Sequence, residues 1–320
     1  MFRLEKPEQV TGRLLVILGP TAVGKTALSL QIAGRFSGQI ISADSRLFYK
    51  GMDIGTAKPD AREQALVPHH LINIAAPDEN LSLGTFQDMA YAAINAVLAA
   101  GDLPIVVGGT GQYVSAIVEG WGIPRVPPQV ELRAELDKLA TEELGRWLLL
   151  LDPVAATRLD FRNRRRVIRA LEVTLVAGQP ISQLQAKLAP PYDIRLIGLT
   201  TDREQLYERI DRRVDQMVAA GFAREVGELL AAGYRPEQPV MSALGYREMF
   251  AYLAGETTLA EATERIKFAT HAFVRRQYNW FRRDDPAIHW YETDAPDFPA
   301  VVMADLAAWL QAEGLTNPTG

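Results

Sequence analysis

The chain has 320 residues, 34 Lys and Arg against 39 Asp and Glu for a formal net charge of −5, and no cysteine. That length can bury a substantial core in one large domain or two smaller ones, and the missing cysteines exclude disulfides, thiolate zinc sites, iron–sulfur clusters and cysteine nucleophiles. Histidines 69, 70, 271 and 289 are too scattered for a metal cage, and neither a bilayer-spanning run nor a signal-peptide core is visible, so a cytoplasmic protein with no membrane partner is expected.

The apolar run Leu14–Leu18 reads as a buried strand, and it enters Gly19-Pro20-Thr21-Ala22-Val23-Gly24-Lys25-Thr26 directly. Ala27 to Ala33 then has helical spacing. Strand, G-x-x-x-x-G-K-T loop and helix together are the context of a phosphate-binding P-loop. Gly19 and Gly24 let the backbone curl so that its N–H groups face phosphate oxygens. The helix N-terminus and Lys25 add positive charge, and the Thr26 hydroxyl can complete a Mg²⁺ shell.

Gln39 to Ala43 reads as a second strand, with Asp44 just beyond its carboxyl end, the edge at which doubly wound sheets bind ligands. A carboxylate there can ligate Mg²⁺ or take a proton, although a turn or helix-capping Asp is the alternative. A polar and aromatic loop with Gly55, Thr56 and Lys58 follows. Leu71 to Ile74 reads as a short strand, and Thr85 to Ala100 as a helix stopped by Gly101. Leu103 to Val107 is a buried strand that ends in Gly108-Gly109-Thr110-Gly111.

From Gly120 the texture changes. Gly122 to Pro128 marks a boundary, the stretch beyond it reads as short helices without a strand, and Pro190-Pro191 marks the return to α/β. Arg195 to Leu199 is a late strand, a helix starts near Arg203, and the region after Gly233 reads as helical. The pattern predicts a P-loop NTPase-like α/β fold in residues 1–120 and 191–320, a mostly parallel sheet with helices on both faces. Residues 121–190 form a small helical insertion domain.

Two basic clusters stand out on this acidic chain. Arg158, Arg162, Arg164, Arg165, Arg166 and Arg169 crowd one segment, and Arg275 to Arg283 interleaves guanidinium groups with Tyr278, Trp280 and Phe281. Arginine suits phosphate forks and base stacking, and the aromatics can stack on unpaired bases. Solvated helix faces with the aromatics turned inward are the competing reading for each cluster taken alone.

Several of these segments recur in one order. The P-loop, Ala43-Asp44-Ser45-Arg46 with Tyr49 to Pro59, Pro68 to Leu71, Pro104 to Gly111, Arg166 to Val173, Gly245-Tyr246-Arg247, and Arg276-Gln277 with Trp280-Phe281-Arg282 together resemble the bacterial tRNA dimethylallyltransferase (tRNA isopentenyltransferase) family. The chain departs from the common pattern at Leu47, where many members have glutamine, and at Gln112, where leucine is usual; Ser242 and Asn279 are also atypical.

The resemblance implies transfer of the dimethylallyl group of dimethylallyl diphosphate to the N6 amine of the adenine just 3′ of a tRNA anticodon, with Mg²⁺. Lys25, Thr26 and the loop backbone would stabilise the departing pyrophosphate, Asp44 would remove the amine proton, Thr110 would contact the adenosine and Arg213 would reach the pyrophosphate. A strand-end turn is the plain alternative for Thr110, and a solvated helix face beside Glu208 and Asp211 is that for Arg213. By the same resemblance Asp44, Ser45, Arg46, Leu47, Thr110, Arg133, Arg165, Arg166, Val167, Ile168, Arg169 and Arg247 contact tRNA, with the insertion gripping the anticodon stem-loop of a substrate bound by a monomer. Two rivals remain: an adenylate isopentenyltransferase acting on free AMP or ADP, and a P-loop small-molecule kinase. The kinase would carry a second strand ending in a Mg²⁺-binding Asp and a purine-reading motif, neither of which is clear.

Overall fold

The computed structural model describes residues 11–312, which gather into two compact units, one running to Val114 and resuming at Pro191, the other spanning Ser115–Pro190. The first unit is built on strands β1 (Gly12–Leu18), β2 (Gly38–Ser42), β3 (His69–His70), β4 (Leu103–Gly108), β5 (Tyr192–Thr200) and β6 (Ile288–Glu292). They lie in the order β3-β2-β4-β1-β5-β6, and every neighbouring pair is parallel. Leu14 to Leu18 in the central strand are at most 1% exposed, as a strand covered on both faces requires. Because all pairs are parallel, the carboxyl ends of all the strands open on one edge.

Helices α1 (Lys25–Arg35), α2 (Ala61–Leu66) and α3 (Leu83–Ala99) follow the early strands, and α4 (Gly111–Val118) contains the boundary between the units. The second unit continues as α5 (Val130–Lys138), α6 (Thr141–Leu151), α7 (Pro153–Arg158), α8 (Arg164–Ala177) and α9 (Ile181–Leu184), with no strand among its residues. Leu136, Leu144, Leu148, Val167 and Leu171 are central in its own apolar core. At its neck Leu188 N–H donates to Gly120 O at 2.8 Å and Gly122 N–H to Ala186 O at 3.0 Å. The first unit resumes with β5, followed by α10 (Arg203–Ala219), α11 (Phe222–Ala231), α12 (Tyr246–Leu253), α13 (Leu259–Gln277), β6 and α14 (Ala300–Gln311).

Two sequence expectations are corrected. The short third strand is His69–His70, paired with Ile40 and Ile41, and not Leu71 to Ile74. Leu71 and Asn73 have φ of +59° and +56°, a left-handed backbone that cannot extend a strand. The region after Gly233 is not all helical, since β6 extends the sheet beside β5. Its Ile288 and Trp290 lie over Gly198, where a Cβ would come within 2.6 Å of the Trp290 ring. Charged and proline-containing flanks hide that short alternation in the sequence.

Candidate active site

The P-loop leaves β1 at the open edge of the sheet. Gly19 and Gly24 have φ of +143° and +105°, and a Cβ on Gly19 would meet Leu199 O at 2.5 Å, so only glycine fits there. Gly24 caps α1 through its backbone alone. Among the described residues the N–H groups of Ala22, Val23, Gly24, Lys25 and Thr26 have no protein acceptor. The Thr21 N–H is different: it donates to Gln277 Oε1 at 3.0 Å.

Lys25 turns back on the loop, its ammonium donating to Gly19 O at 3.0 Å and Pro20 O at 2.7 Å, which leaves one of its three donors. Burial pushes its pKa down to about 8, with Asp44 opposing the shift and Arg213 adding to it. Burial likewise lowers the Arg213 pKa against the pull of Asp44 and Glu63. No ion pair holds Arg213 among the described residues, and Asp211 instead faces His271 at 2.8 Å. Arg213 is half-buried on the cleft side and pairs with neither Glu208 nor Asp211.

Asp44 follows β2, and its Oδ1 accepts the Arg46 N–H at 3.0 Å. The turn-forming role foreseen as the plain alternative is thus present, but it engages one oxygen only. Behind this loop Phe48 stacks on Phe86 with centroids 5.5 Å apart, and Tyr113 tilts against Phe86 at 4.7 Å. Further along, buried Lys58 donates to Tyr49 O, Asp53 Oδ1 and Asn73 Oδ1 at 2.6 to 2.7 Å. A structural anchor is therefore the role of Lys58. Arg46 donates to Val240 O at 3.3 Å, in a 3₁₀ turn at Pro239–Ser242.

Two clefts meet here. The first, of about 1080 Å³, is lined by the P-loop with Lys25 and Thr26, by Asp44 and Leu47, by the 53–61 segment and by Arg209, Arg213 and Met217. The second, of about 740 Å³, is lined by Asp44, Ser45, Arg46, Thr110, Arg213, Arg247 and Arg276, among others. Asp44 and Arg213 belong to both walls, as do Thr21, Ala22 and Met217. A carboxylate and a guanidinium therefore stand where the P-loop cleft opens into a second, more basic chamber.

A family model described as IPP transferase matches residues 47–284, most of the chain. The chain belongs to the IPP transferase family. It is 53% identical over 293 residues to the tRNA dimethylallyltransferase of Chloroflexus aggregans, covering 90% of this chain and 99% of that one. It is also 53% identical to the tRNA dimethylallyltransferase of Roseiflexus castenholzii, covering 89% and 94%. Among solved structures, the tRNA isopentenylpyrophosphate transferase of Bacillus halodurans is 40% identical with a TM-score of 0.69, covering 93% of this chain and 95% of that one. A eukaryotic dimethylallyltransferase captured acting on tRNA gives a TM-score of 0.80 at 27% identity, covering 92% and 77%. The α/β architecture read from the sequence is that of the IPP transferase family.

In the helical unit the basic segment divides by partner. Arg165 and Arg166 are exposed and their side chains have no protein partner among the described residues. Arg133 makes a fork onto buried Glu172 at 2.8 Å through both nitrogens, and Arg169 joins the same carboxylate at 2.5 Å while also donating to Val126 O at 2.8 Å. These guanidiniums serve the packing of α5 against α8. Val167 and Ile168, 1% and 7% exposed, point into the unit's core, so their side chains are not available to RNA. A helical stripe of Val167, Ala170, Leu171 and Thr174 turns them inward. In the other basic cluster Arg282 and Arg283 pair with Asp284 and Glu292, Phe281 is buried, and Arg276 is left on the wall of the second cleft.

Gln277, noted in the sequence only as part of a motif, and Glu225 are residues of the candidate site to which sequence reasoning gave no role. Gln277, 5% exposed, holds the P-loop through Thr21 and donates to Gly109 O at 2.8 Å. Its signal was an amide on the buried stripe Ile266, Thr270, Val274 of α13, where an unpaired polar group would be costly. Glu225 carried the same signal on the stripe Phe222, Val226, Leu229 of α11.

Proposed function

We propose that the chain is a tRNA dimethylallyltransferase that moves the dimethylallyl group of dimethylallyl diphosphate onto the N6 amine of the adenine 3′ of the anticodon, releasing pyrophosphate. The observation that carries this reading is the pair Asp44 and Arg213 on the shared wall of the two clefts. The diphosphate lies in the P-loop on the open N–H groups of Ala22 to Thr26, with Lys25 and Arg213 beside it. The adenine enters by the second cleft, past Thr110. As the carbon–oxygen bond breaks, its electron pair goes to the pyrophosphate, so charge grows where the cations and N–H groups already point. The amine nitrogen forms the new bond to carbon, and its proton passes to Asp44.

Mg²⁺ fits this site through Thr26 and the donor's own phosphate oxygens. Such ions commonly take one or two protein ligands and keep several waters. Among the described residues no cluster of three His, Asp or Glu offers an all-protein cage. When bound, the ion would add to the neutralisation of the leaving pyrophosphate. Arg165 and Arg166 of the helical unit, with Ser45, Arg46, Leu47 and Arg247 of the first unit, contact the anticodon stem-loop. The enzyme acts as a monomer in the cytoplasm.

The deciding experiment gives the protein labelled dimethylallyl diphosphate with unmodified tRNA, AMP or ADP. Label on tRNA alone is expected. Label on a free nucleotide would move the chain to the adenylate class, and steady ATP turnover with a small acceptor would make it a kinase.

A further inference from the structure

The 53–57 loop walls both clefts, and besides its own local bonds it is held by a distant part of the chain. Glu225 of α11 is 8% exposed and points its carboxylate into the loop's backbone. One oxygen accepts Asp53 N–H at 2.9 Å and Ile54 N–H at 2.6 Å, and the other accepts Gly55 N–H at 3.1 Å. The same carboxylate accepts the Tyr246 hydroxyl at 2.7 Å. Three successive N–H groups around one anion make a backbone nest, here filled by the protein's own carboxylate.

The fit leaves no slack. A Cβ on Gly55 would lie 2.2 Å from the Phe222 ring and 2.8 Å from that of Tyr246. Phe222 and Tyr246 meet edge to face with centroids 5.0 Å apart, and Tyr246 is fully buried. Burial and the neighbouring Glu225 carboxylate push the Tyr246 phenol above its ordinary pKa, so it stays a donor. Tyr246 opens α12, whose neighbours Gly245 and Arg247 line the second cleft, while Asp53 and Ile54 line the first.

We propose that Glu225 and Tyr246 are positioning residues that hold the 53–57 loop in register with the P-loop and so set the enzyme's affinity for its diphosphate donor. Neither side chain lines either cleft, so each acts through the loop backbone. The identity of the donor rests on the function proposed above. Charge-assisted hydrogen bonds are the stronger kind, and three of the four bonds to this carboxylate come from the loop itself.

The test compares Glu225→Gln and Tyr246→Phe with wild type for donor KM, tRNA KM, kcat and Tm. Gln sets an NH₂ against N–H donors, and Phe keeps the ring packing while removing the hydroxyl. Donor KM is expected to rise by about tenfold for Glu225→Gln and by a few-fold for Tyr246→Phe. kcat should stay within about twofold, and tRNA KM should move far less than donor KM, since the Asp53 and Ile54 end of the loop lines the P-loop cleft alone. An unchanged donor KM, or donor and tRNA KM rising together with a fall in Tm, would overturn the proposal. If Glu225→Gln fails to fold, Tyr246→Phe decides by the same readouts. Wild-type protein that neither binds nor consumes dimethylallyl diphosphate would overturn the underlying function, and the positioning role with it.

Discussion

The side-chain carbonyl of Gln277 accepts the backbone N–H of Thr21 at 3.0 Å. With its NH₂ on Gly109 O at 2.8 Å, this one amide pins the end of α13 to the P-loop and to the turn after β4. Gln277→Glu keeps the size but sets a carboxylate oxygen against the Gly109 carbonyl. Donor kcat/KM is expected to fall by roughly tenfold or more, the scale of a buried hydrogen bond replaced by a repulsion. Steady-state kinetics of the folded variant measure it, and wild-type values would show that the clamp is idle.

Lys25→Ala should lower turnover by two or more orders of magnitude, about 3 kcal/mol, because a preorganised full charge at the leaving group is lost. A pH dependence accompanies it. The free-enzyme ammonium, lowered to about 8 by burial, is favoured again once a diphosphate is bound, so binding above that pH takes up a proton. Donor kcat/KM is therefore full below about pH 8 and falls as pH rises through it. Lys25→Arg removes this limb, since guanidinium does not titrate there. A flat wild-type profile to pH 9.5 or so would contradict the assignment.

Asp44→Asn retains size and the hydrogen bond to Arg46 while removing basicity. Loss of a general base typically costs roughly 10² to 10⁴-fold, about 3 to 5 kcal/mol. Single-turnover transfer at saturating tRNA and donor should fall on that scale while tRNA affinity holds. A wild-type single-turnover rate would end the proton-acceptor role and leave Asp44 as a turn former.

Arg165 and Arg166 are the unpaired cations of α8, so replacing both with Ala should weaken tRNA binding at low salt and reduce its salt slope by about 2. Donor binding and Tm should hold. Arg169→Ala is expected to differ, lowering the stability of the helical unit because it withdraws a partner from buried Glu172. Filter binding across salt, with thermal melts, separates the two effects.

Much of the candidate phosphate site was legible because its signal is local. Strand, glycine loop and helix are contiguous, and each fixed position has a backbone or charge reason for being there. Asp44 was legible for the same reason, one residue past a buried strand. Gln277 and Glu225 were not, since each acts on backbone more than 150 residues away in sequence, which no periodicity encodes. The basic segment was half legible. Composition shows how many arginines crowd α8, but only packing shows that Arg133 and Arg169 are claimed by Glu172 while Arg165 and Arg166 stay free. Strand β3 was misplaced by two residues for a backbone reason, the left-handed φ of Leu71 and Asn73.

The paired neck of the helical unit, Gly120 with Leu188 and Gly122 with Ala186, brings its outgoing and returning chain side by side. A segment whose ends already touch is a cassette with a single seam. Because the helical unit has its own core and its chain enters and leaves at this seam, exchanging the whole of 123–185 leaves the chain path on either side of the seam in register. Residues 123–185 are thus a graft site: exchanging this segment for that of a relative would ask which RNA is chosen, with the chemistry held constant.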